Sequence, residues 1–392
     1  MKLTMQAPDK SPRPANVQAP VATPQQRWQE LLQAPLNPGL VLQEAGLGPV
    51  MDTGPQSPAA EAFAGTVGFA CALPDLAVLE VRGADAISFL QGQFTNDIAA
   101  LTEGQAQRTG LCSPKGRLLA DFLVLRQADS VLLLLSQALA EPMRKRLSMY
   151  VLRAKVVITD VSDQLLPVGF VARTEAAQTP LSTPWPAAMT VQTTETPAAT
   201  SLLGLEALQR ADYAWQRLIM LVAPTQLLAT LQACQADYGL APTSWWHTGE
   251  VLAGTARLAP ATSDAFVPQM INFELVGGVS FNKGCFPGQE IVARTQYLGK
   301  LKRRLSLASL AGTEPVLPGT EVHDEQGEVM GLVLLAAPAV PPAPQDQQWV
   351  LFESRTAELE KASQLKVGDA VLTLDQLPYP IPVAERFERP DL

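Results

Sequence analysis

From Lys302 to Leu392 the apolar residues fall only in short alternating runs, and this change of period most constrains what the chain can fold into. The runs "RRLSLASL" (303–310), "TEVHDEQGEVMGLVLLAA" (320–337), "QWVLFES" (348–354) and "DAVLTL" (369–374) are separated by Gly, Pro and Asp. Strands of that length cannot each bury a two-sided core, so the pattern predicts a small all-β unit closed like a barrel. The proline-rich "APAVPPAPQDQQ" (337–348) reads as a surface loop within it.

Before Lys302 the period is mixed. "LAVLEVRG" (76–83), "GRLLADFLVLR" (116–126), "SVLLLLS" (130–136), "AKVVITDV" (154–161) and "RLIMLVA" (217–223) read as strands, the second and third paired through the turn "QADS". "ADAISFLQGQ" (84–93), "EPMRKRLSMYVLR" (141–153), "TQLLATLQACQA" (225–236) and "SWWHTGEVLAG" (244–254) read as helices. Pro142 is expected in the first turn of its helix, and Trp245 and Trp246 are expected in the core. Strands and helices do not alternate regularly, so the class is α+β with mixed layers rather than a parallel βαβ sheet. Residues 1–60 read as a mobile N-terminal tail and lead-in, with "QQRWQELLQ" a weak helix. Residues 61–300 form the main domain and 301–392 the barrel domain. The Thr/Pro-rich stretch 174–200 is expected to be an insertion or linker.

Charge and cysteine usage narrow the function. A net charge of −9 argues against broad nucleic-acid binding, which needs a basic surface. No apolar segment is long enough to span a bilayer, and the N-terminus lacks the apolar core of a secretory signal. Cys71, Cys112, Cys234 and Cys285 are dispersed, which suits reduced thiols in the cytoplasm. His247 and His323 have no cysteine or second histidine at ligand spacing, so no metal site is expected. Arg294 stands where a phosphate-binding loop ending at Gly299-Lys300 would need glycine, so nucleoside triphosphate chemistry has no support.

The segment "FNKGCFPGQEIVART" (281–295) carries the most chemistry. "VSF" (279–281) reads as a strand end and "PGQEIVARTQY" (287–297) as a helix with Pro287 near its first position and Glu290 in its first turn. Cys285 then lies ahead of a helix N-terminus with Lys283 beside it, and both favour a thiolate. An isolated cysteine is also commonly an inert core filler, and both readings stand at this level. In "FLQGQFTNDI" (89–98), Gln91, Gln93, Asn96 and Asp97 read either as a ligand-binding cluster or as side chains capping a helix exit. "SPKG" (113–116) reads as a hairpin turn, from which Lys115 and Arg117 either meet an anionic tail or stay solvated. Asp121, inside an apolar strand, needs a partner or a purpose. "KLKRRL" (300–305) reads as a solvated basic strand face or as a phosphate or RNA contact.

"GVSFNKGCFPGQEIVARTQYLGKLKRRL", with "FLQGQFTNDI", "CSPKGRLLADF", "YVLRAKVVITD" and "FVPQMINFELVGGVSF", closely resembles the YgfZ family. That family belongs to the folate-binding superfamily of the glycine-cleavage T-protein, an aminomethyltransferase. The resemblance implies two mixed α/β subdomains around a channel for tetrahydrofolate, followed by the small barrel. It implies a cytoplasmic accessory role in iron–sulfur cluster assembly or repair, supporting tRNA-modifying cluster enzymes, with a folate-dependent one-carbon transferase as the alternative. Partners would be folate and iron–sulfur enzymes or cluster-assembly proteins, with no membrane and no direct nucleic-acid contact. Carried onto this chain, Cys285 is the motif thiol with Lys283, and Asp121 is a weaker catalytic candidate. Gln93, Asn96, Asp97, Lys115, Asn272, Gly284, Gln289, Glu290 and Arg294 would line the folate site. This chain departs from the family at Leu252 and Ala256, and it keeps only half of the T-protein aspartate pair, in Ala120-Asp121.

Overall fold

The computed structural model describes residues 66–382 apart from 175–178, 180, 182, 195–199, 211–213, 235–236, 298–300, 341–343, 345 and 360–361. It also describes the backbone of residues 41–45 and 48–52. The expected helix "QQRWQELLQ", the tail before residue 41 and Lys300 lie outside the described residues, while residues 41–45 and 48–52 of the expected tail are paired strands.

A hairpin of β1 (Val41–Ala45) and β2 (Gly48–Asp52) leads in. Then come β3 (Gly68–Ala72), β4 (Leu76–Arg82), α1 (Ala86–Gln91), β5 (Ala106–Cys112), β6 (Leu118–Arg126), β7 (Ser130–Ser136), α2 (Gln137–Val151) and β8 (Val157–Asp160). The chain continues through β9 (Leu166–Arg173), β10 (Val191–Thr194), β11 (Thr200–Gln209), β12 (Ala214–Val222), α3 (Pro224–Cys234), β13 (Tyr238–Leu240) and α4 (Thr243–Leu252). A 3-10 turn (Pro268–Ile271) and α5 (Gln289–Tyr297) precede β14 (Arg303–Ala311), β15 (Glu321–Asp324), β16 (Val329–Pro338), β17 (Gln347–Arg355), β18 (Leu365–Val367) and β19 (Ala370–Asp375).

These strands make two open sheets and one closed barrel, in orders β5-β6-β7-β4-β8, β10-β11-β12-β9-β3-β13 and β14-β17-β16-β15-β18-β19. The consecutive strands β3 and β4 belong to different sheets, so the chain passes from one sheet to the other at residues 73–75. That crossing places the sheets face to face, and Leu76, Val78, Leu125, Leu132 and Leu134 of one meet Phe69, Leu203 and Ile219 of the other, with Trp245 of α4 in the same core. The second core joins β4–β7, the helices α1 and α2 and the loop after α4 to the barrel residues Leu305, Leu334 and Trp349. Trp246 is fully buried against Gly169 of β9, where a Cβ would lie 2.4 Å from its ring. Both tryptophans of α4 are therefore core, as expected.

Several elements differ from expectation. Helix α2 begins at Gln137, so Pro142 lies inside it rather than in its first turn. The buried stripe Leu139, Ala140, Met143 and Leu147 explains the earlier start, because the core face extends one turn upstream of the proline. "VSF" (279–281) is not strand; Ser280 N–H donates to Thr95 O (3.0 Å) and the segment is held by such single bonds. The Thr/Pro-rich stretch is not merely a linker. Its residues Val191–Thr194 pair with β11 as β10, and Ala106 N–H donates to Met189 O (2.9 Å), which ties the two open sheets together.

Candidate functional site

The candidate residues separate into a buried cavity and an exposed rim. The cavity lies between the two open sheets, encloses about 50 Å³, and is walled by Leu76, Leu123, Leu135, Ile219, Phe273 and Val276. Its charged lining is Arg108 on β5, Asp121 on β6, Arg217 on β12, Glu250 on α4 and Arg257 just beyond it. Alternation along β6 sends Asp121 towards this space while Ala120 faces the opposite core.

Burial lifts the Asp121 carboxyl to about 6, with the Leu258 N–H (2.8 Å to Oδ1) and the Arg257 guanidinium opposing that rise. Arg257 Nη2 donates to Asp75 Oδ2 at 2.6 Å and lies 3.2 Å from Glu250 Oε2. His247 Nε2 stands 2.8 Å from the same Asp75 oxygen. Burial disfavours the Asp75 carboxylate, yet Arg257 and then His247 outweigh it and hold Asp75 well below the usual range. Arg217 is 2% exposed and donates to backbone carbonyls, Gly249 O at 3.0 Å and Glu206 O at 3.2 Å. Burial lowers it to about 10. Arg108 is paired through both terminal nitrogens with Glu206 (2.5 and 2.8 Å), which joins the first sheet to the second. Glu250 Oε2 and Arg257 Nη1 are buried without a hydrogen bond. A site with mixed charges, apolar walls and unmet polar atoms suits a ligand that is part aromatic and part polar.

The rim is built by the cysteine segment. Lys283 is buried, and its Nζ donates at 2.5 Å to both Gln91 O and Phe94 O, below which the Phe286 ring lies 5.3 Å away. Burial lowers this lysine to about 8, partly opposed by Asp97. The ammonium is thus engaged by the end of α1 rather than by the thiol, which corrects the expectation that it serves Cys285. Lys283 and Phe286 root the segment, and Gly284-Cys285 between them stand exposed. The inert-core reading of Cys285 is therefore overturned, whereas Cys71, Cys112 and Cys234 are buried.

Downstream, Gly288 (φ 78°) packs on the turn at Gly116 (φ 71°). A Cβ on Gly288 would sit 2.4 Å from Ser113 O and 2.6 Å from the Gly116 Cα, so both turns depend on glycine. Helix α5 starts at Gln289, two residues beyond Pro287, and carries Glu290 and Arg294 on its exposed side. Lys115 is exposed at the tip of the same turn, while Arg117 Nη1 donates to Ala265 O (2.8 Å).

The polar turn after α1 is largely self-satisfied. Gln91 Oε1 accepts from Ile98 N–H (2.7 Å), and Gln91 Nε2 donates to Asp97 Oδ1 (3.0 Å). Asn96 Nδ2 donates to Arg108 O and Gly277 O, each at 2.7 Å. Through Gly277 the turn meets the loop whose Phe273 and Val276 wall the cavity, so rim and cavity share one partition. Gln93 is half-buried beside it. Asn272, in the left-handed region (φ 55°), is fully buried outside the cavity lining, donating to Leu305 O (3.2 Å) and accepting from Arg304. The basic strand start is not a solvated face: Arg304 is buried in an ion pair with Glu274, and Arg303 pairs with Glu353.

The sequence reading missed Arg108, Arg217, Glu250 and Arg257. The signal that flagged Asp121, a charge inside an apolar run, also marks Arg217 before "LIMLV". Among the described residues no group of three or more His, Cys, Asp or Glu could hold a metal, and no helix is long and apolar enough to cross a membrane.

The architecture, two sheets enclosing a polar cavity with a barrel appended, matches aminomethyltransferase T of the glycine cleavage system from Bartonella henselae. The TM-score is 0.70 at 15% identity, over 91% of this chain and 97% of that one. Residues 68–171 match the family model for the GCVT N-terminal domain. The fold is thus of the aminomethyltransferase T class. Within it, the chain is 30% identical over 316 residues to tRNA-modifying protein YgfZ of Klebsiella pneumoniae, covering 78% of this chain and 91% of that protein. It is 29% identical over 320 residues to the protein of the same name from Escherichia coli strain SE11, covering 80% and 93%. The chain belongs to the YgfZ family.

Proposed function

We propose that this protein is a folate-binding accessory factor for iron–sulfur cluster assembly or repair in the cytoplasm, supporting tRNA-modifying enzymes that carry clusters. The relatives named tRNA-modifying protein and the aminomethyltransferase T class of the fold support the setting. The observation that carries the ligand is the cavity lining, which is chemically suited to tetrahydrofolate. A pterin ring offers adjacent N–H donors that a carboxylate such as Asp121 or Glu250 can accept, and the apolar walls suit an aromatic linker. Arg257, with Nη1 unmet, supplies a buried cation for polar oxygen. The space of about 50 Å³ is smaller than a pterin, so binding one requires the cavity to widen.

Cys285 is the group through which the protein would act on clients. A Cβ on its neighbour Gly284 would meet nothing within 4 Å, so this glycine is not required by packing and suits the close approach of another molecule. Titration with tetrahydrofolate, followed by ligand fluorescence, tests the ligand. Saturable binding that is lost in Asp121→Leu and kept in Cys285→Ala is expected, and no binding to the native protein would overturn it. Full restoration of cluster-enzyme activity by Cys285→Ala in a null strain would overturn the role of the thiol.

A second reading, a folate-dependent one-carbon transferase, is favoured by one observation. Asp121 titrates near 6, within reach of the pH at which a carboxyl can exchange a proton with a folate amine. Turnover of methylene-tetrahydrofolate with amine donors would establish this reading in place of the first.

A further inference from the structure

Between Glu141 and Asp160 the chain carries five cations in a protein of net charge −9: Arg144 and Lys145 pair with Glu141 (2.8 and 3.1 Å), and Arg146, Arg153 and Lys155 make no ion pair among the described residues. These residues run from the middle of α2 through its passage into β8, the last strand in the order of the first sheet. The same stretch exposes a group of apolar side chains: Met149 is 66% exposed, Tyr150 47%, Leu152 87% and Val157 64%. They lie off the buried stripe of α2, so the core does not account for them. Leu152 also holds φ at 46°, a backbone region that favours glycine. Leu152 ends α2, and its side chain stays solvated rather than packing on the core. Single exposed apolar residues are ordinary, but several along one stretch, bordered by the unpaired Arg146, Arg153 and Lys155, mark a contact surface.

We propose that this face docks a protein partner whose matching surface is acidic around an apolar centre. The aliphatic side chains decide against RNA, because Met, Leu and Val offer nothing to phosphate, whereas Met, Tyr and Arg are enriched where proteins meet. In a chain of net negative charge, the cations of this stretch favour the approach of an acidic partner here. None of these residues lines the cavity or belongs to the cysteine segment, and the proposal does not rest on folate binding.

The test places a photoreactive benzophenone residue at Leu152 in the full chain, irradiates cells that lack the natural copy, and sequences the cross-linked peptide. The expected adduct is a protein, resistant to ribonuclease, joined through a peptide rich in Asp and Glu. Its yield should fall about tenfold when Arg153→Glu and Lys155→Glu are added. The same fall is expected without any variant when the lysate is irradiated at ~0.5 M salt, which keeps the test valid if the double variant folds poorly. A ribonuclease-sensitive adduct, an adduct to a second copy of this chain, or a charge-insensitive adduct would each overturn the proposal. So would a yield no greater than from the same probe at Val371, a 42% exposed apolar residue of the barrel.

Discussion

Replacing Asp121 with Asn should stabilise the protein at neutral pH while abolishing its affinity for tetrahydrofolate. Burial sets the carboxyl at about 6 in place of its ordinary 3.8. Between those values the folded chain holds a proton that the unfolded chain has released, so wild-type stability falls as pH rises through this window. Below it both states are protonated, and above it the folded state bears the whole cost of a buried anion. At ~1.36 kcal/mol per pKa unit the cost reaches about 3 kcal/mol, an upper figure because Asp121 keeps some exposure to the cavity. Asn keeps an oxygen for the Leu258 N–H, so the bond at Asp121 Oδ1 survives the exchange. Melting temperatures of both proteins, recorded from pH 4 to 8, report the effect. The curves should coincide near pH 4 and separate by ~6 °C above pH 6.5, taking about 2 °C per kcal/mol for a unit of this size. A pH-independent difference, or a wild type that melts higher at pH 7.5, would refute the assignment of Asp121 as a buried carboxyl with a raised pKa.

Lys283→Met should cost on the order of 2–4 kcal/mol, because the carbonyls of Gln91 and Phe94 lose their shared donor; denaturant unfolding measures it. The wild type should also gain stability from about pH 8 to 10.5, where the unfolded chain retains a proton that folded Lys283 has lost, and the variant should lack that gain. Gly288→Ala should destabilise by roughly 2 kcal/mol or more through its clash with Ser113 O and its positive φ, whereas Gly284→Ala should stay within about 0.5 kcal/mol. Equal effects at the two glycines would contradict the packing. In the native protein a single thiol should react with an aromatic disulfide reagent, and Cys285→Ala should silence it. Cys71, Cys112 and Cys234 are buried, and burial pushes Cys112 and Cys234 up to about 12 and Cys71 further.

Much of the architecture was legible locally. The alternating runs after Lys302 became the closed barrel, and "GRLLADFLVLR" and "SVLLLLS" became the paired strands β6 and β7. A period of two along a strand needs no knowledge of its partner, since it records which face is buried. Pairs such as Asp121 and Arg257, or Arg108 and Glu206, were not legible, because the first joins a strand to the loop beyond α4 and the second joins strands of different sheets, contacts that only the tertiary fold creates.

The cysteine segment divides in the same way. The sequence alone determined that Lys283, Gly284 and Cys285 precede a short helix with Glu290 in its first turn, because glycine, proline and charge act on the backbone within a few residues. Only the tertiary structure decided that Lys283 turns to the carbonyls of Gln91 and Phe94, leaving Cys285 exposed. A buried ammonium is directed by whichever acceptors packing supplies, and those acceptors lie 192 and 189 residues away along the chain.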